Sequence, residues 1–334
     1  MTPKVSILIA NHDYVAFVGE AIASALAQTH PSTEVIVVDD GSTDGSRAVI
    51  EGFAGITAIF QENAGHAAAA RAGLDRATGD IVIFLDADDR LRPEAAATVA
   101  ALWRDGVRAV QFRLELFGEV EQPGETLPHY VFEHGDVGAY FADTGSLTYP
   151  PTSGNAYAIE FARRVFSLSQ GLTHSGFDGW LCFSAALTGE LVSIDTVLGD
   201  YRIHSANMSR PGRRRSLGSI KRDLYFVYHA QQSAFRVARS YGVAVTPPPH
   251  LIGPYYLTWW FLLRDAPATR WDIPPVPRWS GLVTGLANFR RLTSIGRIHR
   301  SAAMLAFVVV VLAPKSVRRL LARYRYRYVD DLGF

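Results

Sequence analysis

The sequence predicts an α/β fold, a mixed sheet flanked by helices, followed by a mainly helical C-terminal extension. Three observations predict it. Over about the first hundred residues short apolar runs alternate with helical patterns, the mark of successive βα units and a largely parallel sheet. The first, second and fourth of these runs end in polar clusters rich in aspartate. From Ser219 onward helical periodicity takes over. With 334 residues, 48% of them hydrophobic, the chain can bury a large core and exceeds the usual size of one compact domain.

Taken in order, strands are expected at residues 5–10, 34–38, 56–61 and 80–85. Residues 15–28 place Val18, Ile22, Ala25 and Leu26 at helical spacing, and residues 66–77 read as an alanine-rich helix. Pro93 suits the first turn of another helix, running to about Arg104. The polar strand ends are Asn11-His12-Asp13, Asp39-Asp40-Gly41-Ser42 and Asp86-Ala87-Asp88-Asp89. Ligands of open α/β sheets bind outside the carboxyl ends of the strands, so these clusters are expected to converge. Asp39 is expected to face the ligand while Ser42 or Thr43 caps a helix toward Ile50. Beyond Val107 a strand is expected at 109–116, then a loop-rich passage through Pro123, Pro128, Pro150 and Pro151. Asp178 precedes a helix at 180–187, and a strand follows at 191–197. The helical remainder is broken by proline-rich connectors at 247–249 and 267–277.

The formal net charge of +1 conceals a polarity. Residues 1–200 carry 11 Lys and Arg against 27 Asp and Glu, whereas residues 201–334 carry 22 against 5. An acidic half suits cations, and a basic half suits phosphates or anionic lipid. The single cysteine, Cys182, excludes an internal disulfide and a cysteine-rich zinc cage, and fits a reducing compartment. The opening MTPKVSILIANHDY reads directly as a first strand rather than a secretory signal, so a cytoplasmic location is expected. No nucleic-acid partner is expected, because no recognised module accompanies the arginines.

Asp86-Ala87-Asp88-Asp89 follows directly on the apolar strand Ile81-Val82-Ile83-Phe84-Leu85. Alternation at a strand end can turn one carboxylate toward a nucleotide and the next toward a hard divalent cation. An isolated D-x-D reads equally well as a helix-capping turn; the second acidic strand end, Asp39-Asp40-Gly41-Ser42-Thr43-Asp44, favours a site.

These segments resemble the family 2 glycosyltransferases, whose nucleotide-binding half has the GT-A fold. The resemblance is carried by Val5-Ser6-Ile7-Leu8-Ile9, the Asp39 to Asp44 strand end, Glu62-Asn63-Ala64-Gly65, Ala70-Arg71 and Gly79-Asp80 leading to Phe84-Leu85-Asp86-Ala87-Asp88-Asp89. It is specific over about the first hundred residues and continues more weakly to about residue 210. It implies a GT-A domain at 1–210, with a nucleotide-sugar half at 1–105 and an acceptor half at 106–210, followed by a helical basic region at 211–334. In such a domain Asp39 contacts the nucleobase, Asp86 the ribose side, and Asp88 the Mg²⁺ or Mn²⁺ bridging the donor diphosphate. Arg71 lies near the nucleotide or pairs with a site aspartate. Asp178, in Gly176-Phe177-Asp178-Gly179, matches the general base of an acidic pair whose first member is here Phe177. Tyr201-Arg202-Ile203-His204 resembles a closing segment in which Arg202 neutralises phosphate charge and His204 binds diphosphate or completes the metal shell. Thr152-Ser153-Gly154-Asn155 resembles an acceptor-side segment and reads as a small-residue loop lining the sugar pocket. Ala10-Asn11-His12-Asp13 departs from the family's usual Pro-Thr-Tyr-Asn-type sequence.

The activity this implies is inverting transfer from a nucleotide-diphosphate donor, with a leaning toward UDP-sugars. The acceptor is a hydroxyl of a saccharide or lipid-linked molecule, in cell-surface polysaccharide or glycolipid biosynthesis. A nucleotidyltransferase is disfavoured because no glycine-rich, arginine-containing loop follows the first strand. A processive synthase is disfavoured because long apolar spans and a Gln-x-x-Arg-Trp segment are missing. A catalytically silent sugar-nucleotide sensor or membrane-tethered scaffold is the alternative that Phe177 keeps open. In the basic region, the apolar run at 302–313 is far shorter than the roughly 20 residues of a spanning helix. Residues 317–328 set Val317, Leu320, Leu321, Tyr324 and Tyr328 against Arg318, Arg319, Arg323, Arg325 and Arg327. That pattern fits peripheral attachment to an anionic membrane surface at the inner face of the cell membrane, or equally a core helix with a solvated or oligomer-forming cationic face.

Overall fold

The computed structural model describes residues 2–120, 124–133, 136–169, 176–205, 207, 217–247, 250, 253–263, 273–291, 297–318 and 321. Four apolar runs form the parallel strands β1 (Val5–Asn11), β2 (Thr33–Asp40), β3 (Ile56–Gln61) and β4 (Ile81–Asp86), in spatial order β3-β2-β1-β4. Alternation along β1 sends Val5, Ile7 and Ile9 to one face and Leu8 to the other, and both faces are buried. On the first face lie α1 (Val18–Leu26), α2 (Ser46–Glu51) and α4 (Ala95–Leu102). On the second lies α3 (His66–Arg76), whose small residues let it approach closely: a β-carbon on Gly73 would sit 2.5 Å from Leu8. The cap expected of Ser42 or Thr43 does not form, because α2 starts at Ser46 with Gly45 before it and Ser42 turns back to Asp39.

After β4 the chain forms β5 (Arg90–Leu91), β6 (Val107–Gly118), β7 (Thr126–Leu127), α5 (Val137–Thr144), β8 (Asn155–Ala158), α6 (Ile159–Leu168), α7 (Phe177–Thr188) and β9 (Glu190–Ile203). β8 is antiparallel to both β4 and β6, β6 is parallel to β9, and β5 pairs antiparallel with β9. The result is a mixed nine-stranded sheet among the described residues, ordered β3-β2-β1-β4-β8-β6-β9-β5 with β7 on β6. β9 is longer than the expected strand at 191–197 and carries Tyr201 and Arg202 within it. α5, α6 and β8 were not legible as elements in the proline-punctuated passage. α6 does bury a helical stripe of Ile159, Ala162, Val165 and Phe166.

The remainder is helical: α8 (Leu217–Ser240), α9 (Pro254–Leu263), α10 (Arg278–Arg291) and α11 (Arg297–Leu312). These helices share a separate apolar core around Leu224, Leu257, Phe261, Phe289 and Phe307. Asn288 donates from α10 to the carbonyl of Thr144 at 3.3 Å, tying this bundle to α5. No described helix is long and apolar enough to cross a membrane. Of the expected amphipathic segment at 317–328, Val317, Arg318 and Leu321 are described and the rest lies outside the described residues. Arg318 does not join a cationic face; it is buried and donates to the carbonyl of Ala313 at 2.5 Å, while Leu321 packs on the C-terminal core.

Candidate active site

The carboxyl ends of β2, β1 and β4 form one edge, with Asn11 in register with Asp39 and Ala10 with Asp86. Asp39 is buried, accepts from Asn11 Nδ2 at 2.8 Å and from the Ser42 hydroxyl at 2.5 Å. That contact fixes the Asn11 amide, and its Oδ1 is left buried without a protein partner. Alternation turns Asp40 the other way, where it accepts from Gln61 Nε2 (2.6 Å) and the N–H groups of Ala64 (2.9 Å) and Gly65 (2.8 Å). Asp40 therefore organises the entry to α3. Gly41 makes the turn that follows Asp40 at φ +75°, with any β-carbon 2.7 Å from the Asn63 nitrogen.

The acidic turn after β4 is held from both sides. Ser153 accepts from the Asp86 N–H at 3.1 Å and donates to Asp89 Oδ2 at 2.6 Å. The other Asp89 oxygen accepts the Arg202 N–H at 2.8 Å. The Arg202 guanidinium donates to the Asp88 carbonyl (2.7 Å) and Glu20 (2.8 Å), and lies over Phe17 and Phe117. Its charge is thus engaged by protein groups. Asp89 is fully buried in this network, while Asp86 and Asp88 stay partly open. His204 places Nε2 2.9 Å from Asp88 Oδ2, beneath the rings of Tyr14 and Phe17. Thr152 to Asn155 are buried, so they support the acidic turn from inside and do not line a pocket as a loop. Burial, then the Asp88 charge, raises the carboxyls of both Asp86 and Asp89. The Tyr14 hydroxyl is pushed up to about 12 by burial and then by Asp88, Asp86 and Asp89.

Asp178 approaches from the acceptor half, in the first turn of α7. Gly176 before it has φ +99°, and a β-carbon there would meet the Phe226 ring at 2.7 Å, so α8 sets the start of the helix. Asp178 is partly buried and accepts the Gly179 N–H at 2.8 Å. Burial raises its carboxyl to about 6. Its charge is the third influence raising Asp86, after burial and Asp88, which brings the two carboxylates into one electrostatic site.

His66, at the start of α3, was not singled out by sequence. Its Nε2 lies 3.5 Å from Asp86 Oδ1, and its ring packs on Phe177 with centroids 4.9 Å apart. Burial lowers its pKa to about 4, so the imidazole is neutral at pH 7. Phe177 is buried against Phe84, Phe166 and His66, filling the place of the absent acid with apolar contact. A histidine after Asn63-Ala64-Gly65 was the available signal. Arg71, one turn further along α3, is exposed and forms no ion pair with a site aspartate among the described residues.

Among the described residues no three His, Cys, Asp or Glu side chains are arranged to hold a metal alone. Asp88 and His204 offer one oxygen and one ring nitrogen at a strand-end rim crowded with carboxylates. That set fits a Mg²⁺ or Mn²⁺ whose remaining ligands are diphosphate oxygens and water.

Residues 6–164 match the family described as Glycosyl transferase family 2. An uncharacterized glycosyltransferase of Nostoc sp. is 34% identical over 215 residues, covering 61% of this chain and 66% of the relative. TuaG of Bacillus subtilis, a glycosyltransferase named for teichuronic acid biosynthesis, is 35% identical over 97 residues, 28% of this chain and 38% of its own. The chain thus spans just under two thirds of the first relative and well under half of the second. In structure, S. aureus TarS 1-349 in complex with UDP-GlcNAc aligns at TM-score 0.52 with 16% identity, over 99% of this chain and 89% of that one. Mannosyltransferase PcManGT from Pyrobaculum calidifontis, in complex with GDP-Man and Mn²⁺, aligns at 0.50 with 18% identity, over 96% and 88%. These likenesses establish the fold, a GT-A arrangement.

Proposed function

The chain belongs to glycosyl transferase family 2, and from that premise we propose an inverting transfer of a sugar from a nucleotide-diphosphate donor to an acceptor hydroxyl. The observation that carries the proposal is the convergence of Asp39, Asp86 and Asp88 at one sheet edge, with Asp178 near enough for its charge to raise the Asp86 carboxyl. Asp39 and the unpartnered Asn11 Oδ1 offer acceptors to the N–H groups of a base, and Asp86 with His66 offers polar groups to ribose or sugar. Asp88 and His204 would hold Mg²⁺ or Mn²⁺, which, when bound, stabilises the negative charge of the departing diphosphate. Asp178 takes the proton of the acceptor hydroxyl as its oxygen bonds to the anomeric carbon and the carbon–diphosphate bond breaks. A single displacement inverts the anomeric centre.

The solved structures named above contain UDP-GlcNAc and GDP-Man, which supports a nucleotide-sugar donor, and we favour a UDP-sugar. A saccharide or lipid-linked acceptor, in cell-surface polysaccharide or glycolipid synthesis on the cytoplasmic side, completes the proposal; the likeness to TuaG supports it. The decisive experiment incubates the protein with a panel of nucleotide sugars and Mn²⁺ and follows nucleoside diphosphate release. Release from one donor, lost with a chelator, is expected. A folded protein that binds nucleotide sugar yet turns over none would instead be the silent sensor that Phe177 leaves open.

A further inference from the structure

α11 departs from the usual pattern of a surface helix. Phe307, Val310 and Val311 are buried, as packing on the bundle requires. The opposite side is apolar as well: Ile298, Ala302, Leu305, Val309 and Leu312 recur at helical spacing and all face solvent, Ile298 at 84% and Leu305 at 67% exposure. From Ala302 to Leu312 α11 is apolar on every side, and such a segment belongs inside a protein or against lipid, while its first turn carries Arg297, His299 and Arg300. α10 runs antiparallel beside it, since Arg300 near the start of α11 donates to the carbonyl of Arg290 near the end of α10, and it adds exposed Trp279 and Val283. The charged residues within α10 and α11 are all cationic, and one of them, Arg291, pairs with Asp143 of α5. Residues 273–329 contain 11 Lys and Arg and no Asp or Glu, and Arg278, Arg290, Arg297 and Lys315 are exposed.

We propose that this face docks on an anionic lipid surface, with α11 lying in the interface plane and its outer stripe set among the headgroups. Charge selects this occupant. A second copy of the chain would bring two cationic rims together, whereas anionic headgroups neutralise them, and an exposed tryptophan suits the interfacial zone. The surface uses none of the carboxylates of the candidate active site, so it stands whether or not sugar transfer does.

The test uses the full chain with vesicles of phosphatidylcholine alone or mixed with phosphatidylglycerol. Sedimentation with the anionic vesicles is expected, weakening with salt. The double substitution Leu305→Ser, Val309→Ser should lower vesicle affinity about tenfold or more, because two apolar groups leave the inserted face. Its melting and UDP binding should match the parent, since both side chains point to solvent. Cys182, the sole cysteine, is buried, so Leu305→Cys accepts a polarity-sensitive fluorophore at one place. A blue shift on adding anionic vesicles is expected. No vesicle binding by the full chain, unchanged affinity of the double variant, or an unshifted fluorophore would each overturn the proposal. So would a self-association, seen by sedimentation velocity without lipid, that the double substitution abolishes.

Discussion

Ser153 bridges the acidic turn, and Ser153→Ala removes one hydroxyl from a fully buried position without changing the backbone. The substitution deletes the 2.6 Å bond to Asp89 and strips the Asp86 N–H of its acceptor. A bond to a charged group contributes about 1.5–3 kcal/mol, and an orphaned buried donor costs about 1–3 kcal/mol. The two share one side chain and will not add fully, so we expect a loss of about 2–4 kcal/mol. At about 2–4 °C per kcal/mol for a domain of this class, melting should fall by roughly 5–15 °C. Asp89 would keep only the Arg202 N–H, loosening the turn that presents Asp88, so UDP affinity in Mn²⁺ should also weaken several-fold. Differential scanning calorimetry and urea unfolding measure the first effect, and titration calorimetry the second. A melting point within a degree or so of the parent would refute the idea that Ser153 holds the acidic turn.

Further expectations follow from the same geometry. Asp178→Asn should leave UDP binding intact yet slow transfer about a hundredfold or more. In the parent, kcat/KM should fall as the pH drops through about 6, where Asp178 takes up a proton, and a profile flat across that range would move the base elsewhere. Burial acts to raise Glu34, but hydrogen bonds from Ser6, Lys4 and Thr78 outweigh it and bring the carboxyl down to about 2 from 4.5. Its stabilisation is present above pH 4.5 and is lost as pH falls toward 2, so Glu34→Gln, with solvent screening of this partly exposed cluster taken into account, should cost about 1–2 kcal/mol at neutral pH and little near pH 2, read from unfolding curves. Gly73→Ala drives a β-carbon to 2.5 Å from Leu8 and should destabilise by about 1–3 kcal/mol; a parent-like melting curve would mean α3 shifts freely.

The parallel half was legible because β1, β2 and β4 are buried on both faces and read as apolar runs, stopping at Asn11 in β1 and at carboxylates in β2 and β4. Asp39, Asp86 and Asp88 could be placed together because the carboxyl ends of neighbouring parallel strands share an edge, and the family resemblance supplied the roles expected of them. The division of labour among neighbouring acids was not legible. Asp40 and Asp89 look like their neighbours in sequence, and only tertiary partners, Gln61 for one and Ser153 with Arg202 for the other, commit them to holding the backbone. His66 and Phe177 meet across more than a hundred residues of chain, beyond any periodic signal. The run at 302–313 read equally as a core helix or as part of a membrane-facing region, because periodicity reports which residues are apolar, not which side is covered.

The central claim, that the edge formed by Asp39, Asp86 and Asp88 binds a nucleotide diphosphate together with a divalent cation, is tested most directly by titration calorimetry of UDP with and without Mn²⁺. The parent protein and Asp88→Ala would be compared. The account predicts that Mn²⁺ tightens UDP binding by the parent and that Asp88→Ala, melting like the parent, loses this enhancement. Equal enhancement in both proteins, or UDP binding by neither, would contradict it.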